Sequence, residues 1–130
     1  MADFHNVKAY LQELHLSIVR EDPAEGLVVV EDEGRGIKNL FVDCEEPILV
    51  FEQMIMPVPQ QTGELFRRLL QMNRTLVHGA FALDEDNTRI LFRDTLQLAH
   101  LDLNEVQATI EALSLALAEH ADELLAFSRQ

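Results

Sequence analysis

The hydrophobic and polar positions follow their clearest pattern in the last third of the chain. Residues 78–98 contain two apolar runs separated by the polar loop Asp84–Thr88, and this pattern predicts a β-hairpin. Residues 103–124 then carry apolar side chains at steps of three and four, which predicts one long helix beginning near Asp102. We therefore expect the earlier part of the chain to pair with this hairpin and to pack against this helix.

Shorter patterns divide the rest of the chain. Apolar residues at helical spacing predict helices at about 4–14 and 63–75, with Asp3 and Thr62 as their N-caps. Residues 16–20 fit either a continuation of the first helix or a short edge strand. Three further strands are predicted between turn-forming residues, at Leu27–Asp32, Ile37–Asp43 and Ile48–Met56.

The connections between these three strands are too short for parallel crossovers, so we expect an antiparallel meander. The predicted order is α-β-β-β-α-β-β-α, an α+β fold in which helices pack on an antiparallel sheet. A chain of 130 residues, 48% of them hydrophobic, fits one domain spanning residues 1–130. A chain of this size can fold without a disulfide or a metal ion.

The strand Ile48–Met56 is apolar in both of its phases. One phase holds Ile48, Val50, Glu52, Met54 and Met56, and the other holds Leu49, Phe51, Gln53 and Ile55. A sheet with one face in water should instead alternate between apolar and polar residues. Either this chain covers both faces of the sheet with its own elements, or one face meets another chain.

The last helix has a second, weaker apolar strip opposite its main one. This strip includes Ala108, Ala112 and Leu115. Alanine at these positions either reflects helix propensity alone or marks a close helix–helix contact in a dimer. Both interpretations stay open at this stage.

The charge of the chain narrows the classes of partner. It has 23 acidic residues against 10 Lys and Arg, a formal net charge of -13. Nucleic-acid binding depends on clustered Lys and Arg, so we expect no nucleic-acid partner. The acidity either serves solubility or steers the chain toward a basic or amphipathic partner.

The N-terminal residues and the single cysteine indicate the cellular compartment of the protein. The first residues lack the basic and apolar regions of a signal peptide, and no apolar run approaches the length of a membrane span. Cys44 cannot form an internal disulfide, which fits a reducing compartment. We expect a cytoplasmic protein without membrane insertion.

The residue types that carry catalysis form no recognisable motif. The five histidines have neither HExxH nor zinc-finger spacing. Cys44 lies beside Asp43 and Glu45, whose charges disfavour the thiolate that a nucleophile needs. We therefore predict no catalytic residue, no cofactor or metal site, and no enzymatic activity.

Three segments carry a resemblance to a known family. They are LFRRLLQMN at 65–73, GAFALDEDNTRILFRDTLQL at 79–98 and LDLNEVQATIEALSLALAEH at 101–120. The Leu-Leu-x-x-Asn helix end, the Phe-Ala-Leu-Asp hairpin and the apolar last helix resemble the type III secretion chaperone-like (CesT/Tir chaperone) superfamily, with YbjN-like bacterial proteins as relatives. The resemblance extends over nearly the whole chain.

The resemblance implies a small cytoplasmic homodimer that binds a partner polypeptide, or client, without catalysis. It places the client contact on the strand at 48–56, and there we carry over Leu49, Phe51 and Met54. The second strip of the last helix, with Ala108, Ala112 and Leu115, is the predicted dimer contact. An alternative function is a bacterial stress or signalling regulator of YbjN-like type that acts by protein–protein interaction.

Overall fold

Six antiparallel strands form one sheet, in the order β1-β2-β3-β4-β6-β5. The structure is a computed structural model that describes residues 4–129, so the predicted N-cap Asp3 lies outside the described residues. The elements are α1 Phe4–Glu13, β1 Ser17–Asp22, β2 Leu27–Asp32, β3 Ile37–Glu45, β4 Ile48–Pro57, α2 Gly63–Asn73, β5 Ala80–Leu83, β6 Arg89–Gln97 and α3 Leu103–Ser128, with a short 3-10 turn at Glu33–Arg35.

The predicted α+β class and antiparallel sheet are confirmed, with one strand more than the predicted order. The addition is β1, which occupies the segment that the sequence left open between helix and strand. Helix α1 ends at Glu13, His15 just beyond it has a left-handed φ of 65°, and the Leu16 amide donates to the Leu11 carbonyl at 3.1 Å. This bond closes a Schellman-type helix end, after which the chain leaves as an edge strand.

All three helices lie against one face of the sheet. The larger core cluster joins buried residues of α1 and α3 to inward-facing residues of β2, β3, β4 and β6; examples are Leu11, Val28, Leu40, Leu49, Phe51, Phe92, Ile110 and Leu113. A second cluster joins α2 to the β5–β6 hairpin and to α3. No described helix covers the opposite face of the sheet, because both clusters lie on the same side.

Helix α3 has Asp102, the residue near which the sequence predicts its start, as its N-cap. Asp102 adopts an extended conformation, and its carboxylate accepts a hydrogen bond from the Glu105 amide at 2.9 Å. This bond satisfies one of the amide groups that the first turn of a helix leaves without a partner. Helix α3 therefore begins where the sequence indicates, and Val106 is its first fully buried side chain.

The edge of the sheet at β5 is sealed by a side chain. The Asn73 amide accepts from the Phe81 N–H at 2.7 Å and donates to the Phe81 carbonyl at 3.2 Å. It thereby bonds the two backbone groups of Phe81 that face away from β6, as a neighbouring strand would. The last residue of α2 thus fixes α2 against the hairpin.

We expect Asn73→Ala to lower the free energy of unfolding by about 1–3 kcal/mol, because it leaves two backbone groups of Phe81 without their partners. Chemical denaturation followed by circular dichroism measures the change. Asn104→Ala, which alters an exposed asparagine of α3, serves as the control and should stay within about 0.5 kcal/mol of the wild type. Equal stability of the two variants would contradict the sealing role of Asn73.

Candidate functional site

The uncovered face of the sheet carries apolar side chains on four adjacent strands, β2, β3, β4 and β6. We call this face the open face and define it by its apolar residues Val29, Phe41, Val50, Met54 and Leu91. Phe41 is 41% exposed and Met54 is 47% exposed, although both lie in the middle of strands. The side chains of Phe41, Met54 and Leu91 line one depression of about 560 Å³ that opens to solvent.

The strand register explains this grouping. Val29 pairs with Phe41, and Met54 pairs with Leu91, so side chains on neighbouring strands stand side by side on the same face. Val29 is only 3% exposed, yet it belongs to neither core cluster. Its burial is therefore produced on the open face itself, by the residues beside it.

Charged residues alternate with these apolar positions. The guanidinium of Arg20 lies over the Phe41 ring, 5.5 Å from its centroid. Arg93 donates to Glu52 at 2.8 Å on the two adjacent strands β6 and β4. These contacts hold the long side chains flat against the sheet, where their aliphatic parts extend the apolar surface.

Asp43 occupies the acidic end of the open face. Its Oδ1 atom is buried and has no hydrogen-bond partner among the described residues. Burial raises the pKa of this carboxyl to about 6, and the hydrogen bond and charge of Glu45 add to the increase. Glu25 and Glu52 contribute further repulsion. The carboxylate is therefore held in an environment that disfavours its charge.

A buried polar residue on the core side fixes the start of β3. Gln53 is 4% exposed, accepts from the Lys38 amide and donates to the Gly36 carbonyl, both at 3.1 Å. A buried amide with its hydrogen bonds satisfied specifies one register. Gln53 therefore anchors the strand that presents Phe41 on the opposite face.

The three residues predicted to contact a client separate between the two faces. Leu49 and Phe51 are 0% exposed and belong to the core beneath the helices. Met54 is exposed on the open face, where it joins Phe41 and Leu91. The exposed Phe41, which the sequence-based prediction did not include, lies on the preceding strand.

The predicted dimer strip on α3 is unevenly exposed. Ala112 is 9% exposed and Ala108 is half-buried, both within this chain alone, whereas Leu115 is 54% exposed. Between them, Thr109 is buried and donates to Asp94 of β6 at 2.7 Å. The side of α3 that carries this strip is therefore partly packed against the sheet of the same chain.

Within residues 4–129, no three His, Cys, Asp or Glu side chains are arranged to hold a metal ion. None of the described helices is both long enough and apolar enough to cross a membrane.

Asp43→Asn should stabilise the fold at neutral pH. Because the folded chain raises the pKa of Asp43 above its unfolded value, wild-type stability decreases as the pH rises from about 4 to above 6. Asparagine has no charge to bury, so we expect a gain of about 1–3 kcal/mol at pH 7.5 that shrinks toward pH 4. Urea denaturation across this pH range measures it, and the exposed Asp86→Asn controls for the loss of one charge. A gain that is independent of pH would contradict this assignment.

Comparison with known proteins adds the family. The family model CesT_Tir_1 matches residues 1–130, the whole chain. No protein of curated function matches the sequence.

Two solved structures have similar folds. E. coli YbjN superposes with a TM-score of 0.68 at 14% identity, covering 93% of this chain and 92% of YbjN. A structure of the HopA1–SchA chaperone–effector complex matches with a TM-score of 0.62 at 12% identity, covering 88% of this chain and 91% of the matched chain. At these identities the likeness shows the fold, and the family follows from the sequence match. This chain belongs to the CesT_Tir_1 family, whose type III secretion chaperone-like fold it shares.

Proposed function

We propose that this chain, with residues 1–130 acting as one domain, is a cytoplasmic, chaperone-like protein that binds a partner polypeptide on its open face without catalysis. The observation that carries the proposal is the exposed apolar surface around Phe41 and Met54 in the middle of the sheet. A sheet face with apolar residues on several adjacent strands is a surface that a second polypeptide can bury.

Energetics support a partner on this face. Each Å² of apolar surface removed from water contributes about 25 cal/mol, and Phe41 and Met54 both retain over two-fifths of their exposure. They lie beside Leu91 in one open depression, so one segment can cover all three. The rigid sheet presents them without rearrangement, which lowers the cost of binding.

The comparisons support a polypeptide as the partner. The family match covers the whole chain, and the second similar structure is that of a chaperone bound to an effector. A client held partly unfolded would supply apolar residues that cover those of the open face. The sheet face, and not the core residues Leu49 and Phe51, is then the contact surface.

A regulator that acts through protein contact is the second candidate. The similar structure of YbjN is described as that of a proposed transcription regulator. The charge of this chain, with 23 acidic residues against 10 Lys and Arg, disfavours direct contact with DNA. Such a regulator would use the same open face, but its partner would be a folded protein rather than an unfolded segment.

We also propose that the chain forms a homodimer, and that the corner between α2 and β5 supplies the contact. Leu70 is 71% exposed and Leu83 is 40% exposed, and both line one apolar depression with Phe66 and Phe81. A second copy of the chain can bury this depression across a two-fold axis.

Phe41→Ser combined with Met54→Ser should abolish partner binding and lower the free energy of unfolding by about 1–3 kcal/mol, because more than half of each side chain is buried on the sheet. Circular dichroism shows whether the variant stays folded. The measurement is recovery of the partner from native cells with tagged wild type and variant. Leu125→Ser, a comparably exposed leucine on α3, is the matched control and should retain binding. Recovery of the same partner by the double variant would place the contact elsewhere, and a folded partner would favour the regulator.

The dimer is tested separately by light scattering. We expect a particle of twice 14.8 kDa for the wild type and of 14.8 kDa for Leu70→Arg, because a charge at the centre of the corner blocks its burial. Leu115→Arg tests the predicted contact through Ala108, Ala112 and Leu115 and should leave the dimer intact. Dissociation by Leu115→Arg alone would assign the interface to α3, and a monomeric wild type would refute the dimer.

A further inference from the structure

The charges of the open face are distributed unequally along the strands. One row across the sheet runs Asp22, Leu27, Asp43, Val50, Thr95, and the next runs Glu45, Ile48, Gln97. Neither row contains a lysine or an arginine. Lys38 and Arg89 lie at the other end of the face, beside Met54 and Leu91. The apolar surface therefore ends in an acidic region.

The groups around Asp43 are almost all acidic. Glu45 faces it from its own strand, Glu25 from the turn between β1 and β2, and Glu52 from β4. Arg93 of β6 is the cation nearest in the register, and it is already bound to Glu52. A second anion is repelled here, whereas a cation is attracted by several charges.

Asp43 and Glu45 line one open depression of this face together with Ile48 and Val50, so a bound segment can reach their side chains. The Oδ1 atom of Asp43 is buried without a donor, so the chain itself compensates the charge of this carboxylate poorly. Lysine and arginine side chains carry only donors, and a charge-assisted bond to a carboxylate is among the stronger ones. A second copy of this chain, with its net charge of -13, is a poor match for this region.

We propose that the polypeptide segment bound by the open face is basic as well as apolar, and that it places a lysine or arginine side chain against Asp43. The inference rests on the proposed function and specifies its partner. The apolar residues of the segment cover Phe41, Met54 and Leu91, while its cation lies in the depression beside Asp43 and Glu45 and offsets the repulsion among the carboxylates.

Two synthetic amphipathic peptides with the same leucine-rich face test the proposal. One carries arginine at its polar positions and the other carries glutamate, and fluorescence anisotropy gives their affinities at pH 7.5. We expect the arginine peptide to bind at least about tenfold more tightly, and Asp43→Asn to weaken it by about tenfold, as expected for a lost bond to a charged group. Asp86→Asn should leave its affinity unchanged.

The pH dependence provides a second measurement. Arginine stays charged, so the affinity of the arginine peptide for the wild type should fall between pH 7.5 and pH 5, as Asp43 takes up a proton. In Asp43→Asn the affinity should change much less with pH, and the remaining change should come from protonation of the neighbouring glutamates. Wild-type affinity that does not change with pH would overturn the role of Asp43.

The peptides also separate failure of this inference from failure of the proposed function. Equal affinities for the two peptides, both weakened by Phe41→Ser, would overturn the basic partner and retain the open face as a binding surface. Affinities that Phe41→Ser leaves unchanged would instead refute binding on this face altogether. Circular dichroism of each variant shows that the fold is intact.

Discussion

The structure depends on a limit of coverage: one layer of helices can bury only one face of a sheet. Six strands at about 4.8 Å spacing place the outer strands about 24 Å apart, and the 26 residues of α3 extend about 39 Å. Helix α3 therefore spans the sheet, with α1 and α2 on the same side. The chain has no further helix among its described residues for the second face, so that face keeps its apolar side chains in contact with solvent.

Much of this arrangement could be predicted from the sequence. Apolar spacing identified the three helices and five of the six strands, and the turn residues implied the antiparallel meander. The sixth strand, β1, was ambiguous because Leu16 and Ile18 fit both periods. The helix end at His15 decides between them, and it depends on a left-handed conformation that is uncommon for residues other than glycine and that the sequence does not predict.

The candidate site was harder to predict, because both phases of β4 are apolar and sequence alone does not say which one the helices cover. Leu49 and Phe51 face the core, while Val50 and Met54 do not. A register irregularity between Met54 and Met56 then turns Met56 inward, so the phase changes near the end of the strand. Phe41 was missed since its strand reads as ordinary core, and its exposure depends on pairing with β4.

The burial of the Asp43 carboxylate lowers the stability of the fold, and no hydrogen bond to its Oδ1 atom compensates for the loss. A serine or threonine at this position could form a hydrogen bond to the nearby backbone. The carboxylate instead lies beside Glu45, and its Oδ1 atom is buried without a hydrogen-bond donor. Residues needed only for folding are usually consistent with their surroundings, and local conflicts concentrate where a surface serves another purpose. The conflict at Asp43 lies at the border of the apolar residues of the open face. A partner that carries a cation would reduce the repulsion among these carboxylates and cover the apolar residues in the same event, which links the electrostatics of the acidic end to the packing of the apolar centre.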